Sequence, residues 1–195
     1  MLFRSYQHHS DPDLYNLGCR VLFVVHGPTR TVRPIGIKSE LGISKPGAPS
    51  WEFANTLALC AATNHLSLVR HFNGIHLASG APLAIATRNH LPPDHELRRL
   101  LWPYIYHTPL SNYIVTRAQM VPGGDFEQIF SFSHRGMCDL FSDTYKEFDF
   151  TVNDPAIDAE RRGIVRAGFD TLTLQDLTEL YKVFQRQAKR YLVLY

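Results

Sequence analysis

The chain is short of several things that would assign it quickly. It has no apolar run near the roughly 18 residues that span a bilayer. Its first residues, MLFRSYQHHSDPD, lack the apolar stretch of a signal peptide. It has three cysteines, Cys19, Cys60 and Cys138, and no CxxC pair. Such a set reads as reduced thiols in a cytosolic protein, and not as a disulfide or zinc framework. Net charge is only +2, and no basic stripe interleaves with aromatics, so nucleic acid is not an expected partner. There is no GxSxG elbow, no HExxH and no glycine-rich phosphate loop. Those absences remove serine hydrolases, zincins and nucleotide-binding enzymes of the usual kinds.

What is present is a globular composition. Hydrophobic residues make up 45% of the 195 and charged residues 19%. Twelve Phe and nine Tyr are enough to fill a core or line an apolar cavity. Such a length suits one domain or a piece of one.

The pattern predicts a β-hairpin over residues 21–37. Val21–Val25 and Thr31–Ile37 are strand-like runs around the turn residues His26-Gly27-Pro28-Thr29. From Trp51 onward the expectation is mainly helical. Ser50 stands where a helix cap would, and 51–76 is apolar nearly all round, which predicts burial on every side. Further helices are expected from Pro92 to Leu101, over Leu110–Gln119 and over Phe126–Asp139. Another runs from Pro155 to a stop at Gly163. The last helix, 173–195, carries Leu174, Leu177, Leu180, Tyr181, Phe184 and Ala188 at helical spacing. It has neither a glycine cap nor a following proline, which leads us to expect an open apolar face and a domain that continues.

The informative cluster is NHLSLVRHFNGIH, from Asn64 to His76. Three histidines in twelve residues sit on an otherwise apolar helix, and imidazole is a standard ligand for iron and zinc. Spacing limits which can cooperate. His71 and His76 are i,i+5, which needs a widened, π-like turn. His65 and His71 are i,i+6 and point in poorly matched directions. His65 and His76 face one way but lie about 16 Å apart at 1.5 Å per residue. The plainer alternative is that all three are core or surface histidines bonded to carbonyls or water.

Eight short matches in order resemble the lipoxygenase family. They are Thr31-Val32-Arg33-Pro34-Ile35-Gly36-Ile37, Trp51-Glu52-Phe53-Ala54 and His71-Phe72-Asn73-Gly74-Ile75-His76. Next come Ala84-Ile85-Ala86-Thr87 with Leu91-Pro92 and His95, and Leu100-Leu101-Trp102-Pro103-Tyr104 with Thr108. Arg117, then Phe148-Asp149-Phe150 with Arg162-Gly163, and Tyr191-Leu192-Val193-Leu194-Tyr195 complete the set. The resemblance implies a mainly α fold: part of a lipoxygenase-type helical catalytic domain, running over 1–195, with a small β-hairpin in front. It implies dioxygenation of polyunsaturated fatty acids to hydroperoxides at a non-haem iron. The metal candidates are His71, His65 and His76, and no separate catalytic residue is assigned.

The resemblance also predicts a defect. Counted from Trp51, one expected ligand falls on His71 and the other on Leu66, one residue after His65. Either His65 rotates in through a register change, or that ligand is lost. His76 matches a histidine that usually supports the family's site from outside. The family's third histidine and terminal carboxylate come from helices beyond the Tyr191–Tyr195 motif, so the expected site is incomplete. The alternative function is a non-catalytic module that binds a fatty acid or other apolar ligand, or a protein partner. That partner would be a second copy of the chain or a second chain completing the domain.

Overall fold

The computed structural model describes residues 6–7, 14–29, 31–149, 154–168 and 171–194. Phe150 and Tyr195, which close two of the motifs above, lie outside the described residues. The architecture is mainly α, with one small antiparallel sheet before the helices.

The sheet runs β1 (Arg20–His26), β2 (Thr31–Ser39), β3 (Gly42–Ser44), in that spatial order. The first two are the expected hairpin. The third strand was not foreseen: Gly42, at φ 98°, turns the chain so that Ile37 pairs with Ser44 and Ser39 with Gly42. A side chain there would strain the backbone, which is why glycine takes the position.

One helical column then runs from Trp51 to His90. It starts as α1 (Trp51–Asn64), widens into a π-helix over His65–Gly80 and tightens again as α2 (Ala81–His90). The expectation of a helix buried on every side is corrected. Ala54, Leu57, Ala61, Leu68, Phe72 and Ala78 are buried along one stripe. Leu59, Leu66, Ile75 and Ile85 point out of it, with Leu66 63% exposed. Ser50 does stand at the helix start, but it does not cap. Its backbone is already helical, and its hydroxyl bonds Ser44 Oγ at 2.8 Å.

Beyond the column lie α3 (Glu96–Ile105), α4 (Thr108–Ile114), a π turn over Val115–Gln119, α5 (Asp125–Ile129) and α6 (His134–Lys146). The α3 helix begins four residues later than expected, because His95 is the cap: its Nδ1 accepts from Leu97 N at 3.1 Å. The single helix expected over Phe126–Asp139 is two. Phe130 leaves the helix in extended conformation, Phe132 turns fully into the core, and Ser133 restarts the helix by accepting from Gly136 N at 3.1 Å. Burying an aromatic ring outweighs the few helical hydrogen bonds lost there.

Two compact units emerge. The first joins Met1–Leu22 to Ile35–Phe148. Its core lies between the central column and α6, where Leu57, Ala61, Leu68 and Phe72 meet Phe132, Met137, Leu140 and Phe141. Asn73 ties the same two elements: its buried amide donates to Phe141 O at 3.0 Å and Thr144 Oγ1 at 2.6 Å. Tyr6 donates to Asp143 Oδ2 at 3.0 Å, which holds the tyrosine above its ordinary pKa.

The second unit joins Phe23–Pro34 to Asp149–Tyr195. Its α7 (Pro155–Arg161) opens on Asp154, which accepts from Ala156 N at 2.8 Å, and stops at Gly163 with φ 70°, as expected. Its α8 (Leu172–Leu194) has no buried residue among those described, and Leu177, Leu180 and Phe184 are exposed. No helix of the described residues is long and apolar enough to cross a membrane.

Two substitutions test this packing. Leu68→Ala, at a side chain with 0% exposure, should cost about 2–5 kcal/mol in denaturant unfolding. Gly80→Ala would place a methyl 2.7 Å from Ile75 O and 3.0 Å from Thr108 Cγ2, and should cost about 1–3 kcal/mol. A Gly80→Ala chain as stable as the parent would mean the column does not lie this close to α4.

Candidate metal centre

The π-helix decides where the three candidate histidines go. On an α-helix, residues five apart diverge, whereas widening each turn brings i and i+5 into line. The sequence assists that widening. A Cβ on Gly74 would sit 3.3 Å from Val69 O, and one on Gly80 would sit 2.7 Å from Ile75 O. In both cases the carbonyl five residues back presses on the position, so glycine makes room. Ser79 adds a donor, its one hydroxyl hydrogen shared between Gly74 O at 2.9 Å and Ile75 O at 3.1 Å.

The consequence is that His71 and His76 meet. Their Nε2 atoms are 3.2 Å apart, and the rings cross at 69° with centroids 4.9 Å apart. Two imidazole nitrogens bound to one ion at about 2.1 Å, at angles of about 90–109°, lie about 3.0–3.4 Å apart. The pair therefore matches the separation of two ligands on one metal. The π-like turn that the i,i+5 spacing demands is present.

Both partners are held. Phe72, buried against Phe126 and Phe141, stacks on His76 with centroids 5.6 Å apart and planes 23° apart. Asn112 of α4 engages His76 twice, with Oδ1 3.0 Å from Nδ1 and Nδ2 2.9 Å from the backbone O. His71 is exposed, so one side of the pair faces solvent.

His65 does not join them. It is half-buried at the start of the widened stretch, and no three of the described His, Cys, Asp or Glu side chains converge as metal ligands would. Leu66 points outward. The geometry thus gathers two of the three sequence candidates. It also adds Asn112 of α4, which lies five residues before Arg117 and which no sequence signal singled out. Arg117 itself lies within the π turn at Val115–Gln119, one turn beyond Asn112, and a widened turn is how a helix absorbs one extra residue.

The remaining chemistry-bearing positions are modest. Gly123, at φ 74°, and Gly124, where a Cβ would meet Gln119 O at 2.6 Å, form a tight turn. Glu127 closes it by accepting from the backbone N–H groups of Gly123 and His134. His107 stands exposed at the start of α4. In the second unit, Ala156, Val165, Leu174, Gln175, Thr178 and Glu179 line an open groove of about 470 Å³. Cys138 Sγ lies 3.8 Å from His134 Nε2, one turn back on α6.

No protein-family model and no curated protein matches the chain. Among solved structures it is similar to "Crystal structure of Delta413-417:GS LOX", a lipoxygenase. The TM-score is 0.70 at 21% identity, over 90% of this chain and 26% of that one. The likeness shows a lipoxygenase-type fold. The chain spans about a quarter of the length of the structure it matches.

The three cysteines give a check on this unit. Cys60 and Cys138 are exposed, whereas Cys19 is half-buried and its thiol is pushed up by that burial. A disulfide reagent on the native chain should show two fast thiols and one slow one, with Cys19 identified by mass as the slow site. Equal rates for all three would contradict the packing of the 14–19 segment.

Proposed function

We propose that the chain is the histidine-bearing part of a lipoxygenase-type, non-haem iron dioxygenase domain acting on polyunsaturated fatty acids, and that it is catalytically incomplete on its own. The observation that carries this is the Nε2 to Nε2 separation of 3.2 Å between His71 and His76 on a π-helix. The fold likeness supports it.

His71 and His76 would hold the iron through their Nε2 atoms. Bound there, iron would supply the one-electron chemistry by which such enzymes oxygenate a pentadiene. The chain's residues would orient and shield. Phe72 fixes one ring face of His76, and Asn112 fixes its edge. The buried aromatics behind them keep water from that side of the site. His65 remains a candidate only if the widened helix shifts register.

Incompleteness follows from counting donors. Two neutral imidazoles leave most of an iron coordination sphere to water and hold the ion weakly. Leu66, standing where a ligand would be expected, has no donor atom. With its thiols free, the chain suits a reducing compartment, and we place it in the cytosol.

A second reading is favoured by a separate observation. Leu59, Leu66, Ile75 and Ile85 are exposed along the same column. Exposed apolar side chains gathered on one element are the kind of surface an interaction site uses. On that reading the module binds an apolar ligand such as a fatty acid, a second copy of itself, or a second chain that completes the domain, and does no chemistry.

Metal analysis separates the two. The purified chain, loaded anaerobically with ferrous iron and desalted, should retain iron at well below one equivalent. His71→Ala and His76→Ala should each bring it to background, and linoleate oxygenation should be absent. Iron retention unmoved by both substitutions would overturn the metal reading. Stoichiometric iron with hydroperoxide formation would overturn the claim of incompleteness.

A further inference from the structure

Asn112 does more than fill space beside His76. Its Nδ2 lies 2.9 Å from His76 O, and a backbone carbonyl can only accept. The amide nitrogen must therefore face that carbonyl, which leaves Oδ1 facing the ring at 3.0 Å from Nδ1. Oδ1 is itself only an acceptor, so His76 Nδ1 must be the donor and must carry a proton. In a neutral imidazole the other nitrogen is then bare. That nitrogen is Nε2, the atom that faces His71.

The backbone side of this clamp is firm. His76 O also accepts from Ala81 N, so its position is set by the column as well as by Asn112. Asn112 is itself buried on α4, where solvent cannot readily replace either bond. Free histidine in water prefers its proton on Nε2, so this environment reverses the intrinsic preference. The 3.2 Å approach of His71 Nε2 follows. With His76 Nε2 bare, His71 Nε2–H donates to it in the absence of metal.

We propose that Asn112 is a positioning residue: it locks His76 in the Nδ1–H tautomer, so that the Nε2 lone pair is presented beside His71 to a divalent metal ion. The ligand role rests on the His71–His76 reading above, but the tautomer does not. Metal-binding histidines generally have their second nitrogen fixed in this manner, and loss of the fixing partner weakens metal binding about 10–100-fold. Among the described residues, none holds His71 in that way. It must move its own proton to Nδ1 before it can ligate, which makes His76 the anchoring ligand and His71 the second.

The test uses the metal-free full chain with 15N-labelled histidine. Long-range proton–nitrogen correlation spectra report which ring nitrogen is protonated, and His76→Gln assigns the signal. His76 should carry its proton on Nδ1. In Asn112→Leu the proton should move to Nε2. In Asn112→Asp, which keeps an acceptor toward Nδ1, Nδ1 should stay protonated. Zn2+ then serves as a diamagnetic probe, and its dissociation constant should rise about 10–100-fold in Asn112→Leu. A proton on Nε2 of His76 in the parent chain overturns the proposal, as does an unchanged tautomer in Asn112→Leu. Should that variant fail to fold, loss of the Nδ1 proton in Asn112→Asp overturns it equally. If the tautomers behave as stated but the parent chain binds no Zn2+, the metal reading of the pair falls and Asn112's control of His76 stands.

Discussion

A helix that widens for sixteen residues constrains everything packed around it. The π geometry over His65–Gly80 shifts the facing of each side chain from what 3.6 residues per turn would give. Leu68 and Phe72 still reach the core from this stretch, because they are four apart and near its buried side. His71 and His76 meet because they are five apart. Regular α geometry would keep the first relation and destroy the second. Extended π structure is rare and is not self-sustaining, so it must be held from outside. Gly74 and Gly80 give the displaced carbonyls room, Ser79 supplies them with a donor, and Asn73 anchors the stretch to α6.

That anchoring explains where the first unit's core sits. Packing is concentrated on the face that meets Phe132, Met137, Leu140 and Phe141. The amide bridge from Asn73 to Phe141 O and Thr144 Oγ1 fixes register in a place where apolar contacts alone would tolerate sliding. Among the described residues its Oδ1 is buried with no hydrogen-bond partner, as is that of Asn64. Buried unsatisfied groups cost free energy, so both residues mark places where local geometry has been held against that cost. Asn64 closes α1 just before the widened stretch, and Asn73 lies near that stretch's middle.

Much of this was legible in the sequence, for physical reasons that differ by element. Strands around a His26-Gly27-Pro28-Thr29 turn and a helix stop at Gly163 are local signals, and both read correctly. The lipoxygenase-type fold was legible from short motifs in order, although no one of them was decisive. The need for a π turn at His71 and His76 was readable because five-residue spacing admits no other way to bring them together. What failed was non-local. Apolar periodicity ran on through Phe126–Asp139, and only the burial of Phe132 explains why the chain breaks there and restarts at Ser133. Apolar residues on every side of 51–76 suggested complete burial, because composition does not say which face has a neighbour. Asn112 lies 36 residues from His76, and no spacing rule connects them.

Fold and chemistry separate at one position. The likeness to a lipoxygenase fold extends over 90% of the chain. Ligation depends instead on single atoms. Leu66 offers none and points outward, whereas His76 offers a nitrogen that faces His71. A core tolerates exchange of one apolar side chain for another of similar size far better than a metal site tolerates loss of a ligand. A chain can therefore keep the widened helix whatever donors it carries, and the proposed pair, His71 and His76, would use the same i,i+5 geometry one turn on. If the proposed pair ligates, His76 needs a partner on the far side of its ring, and Asn112 stands there on α4, within hydrogen-bond reach of both the ring and the carbonyl of His76.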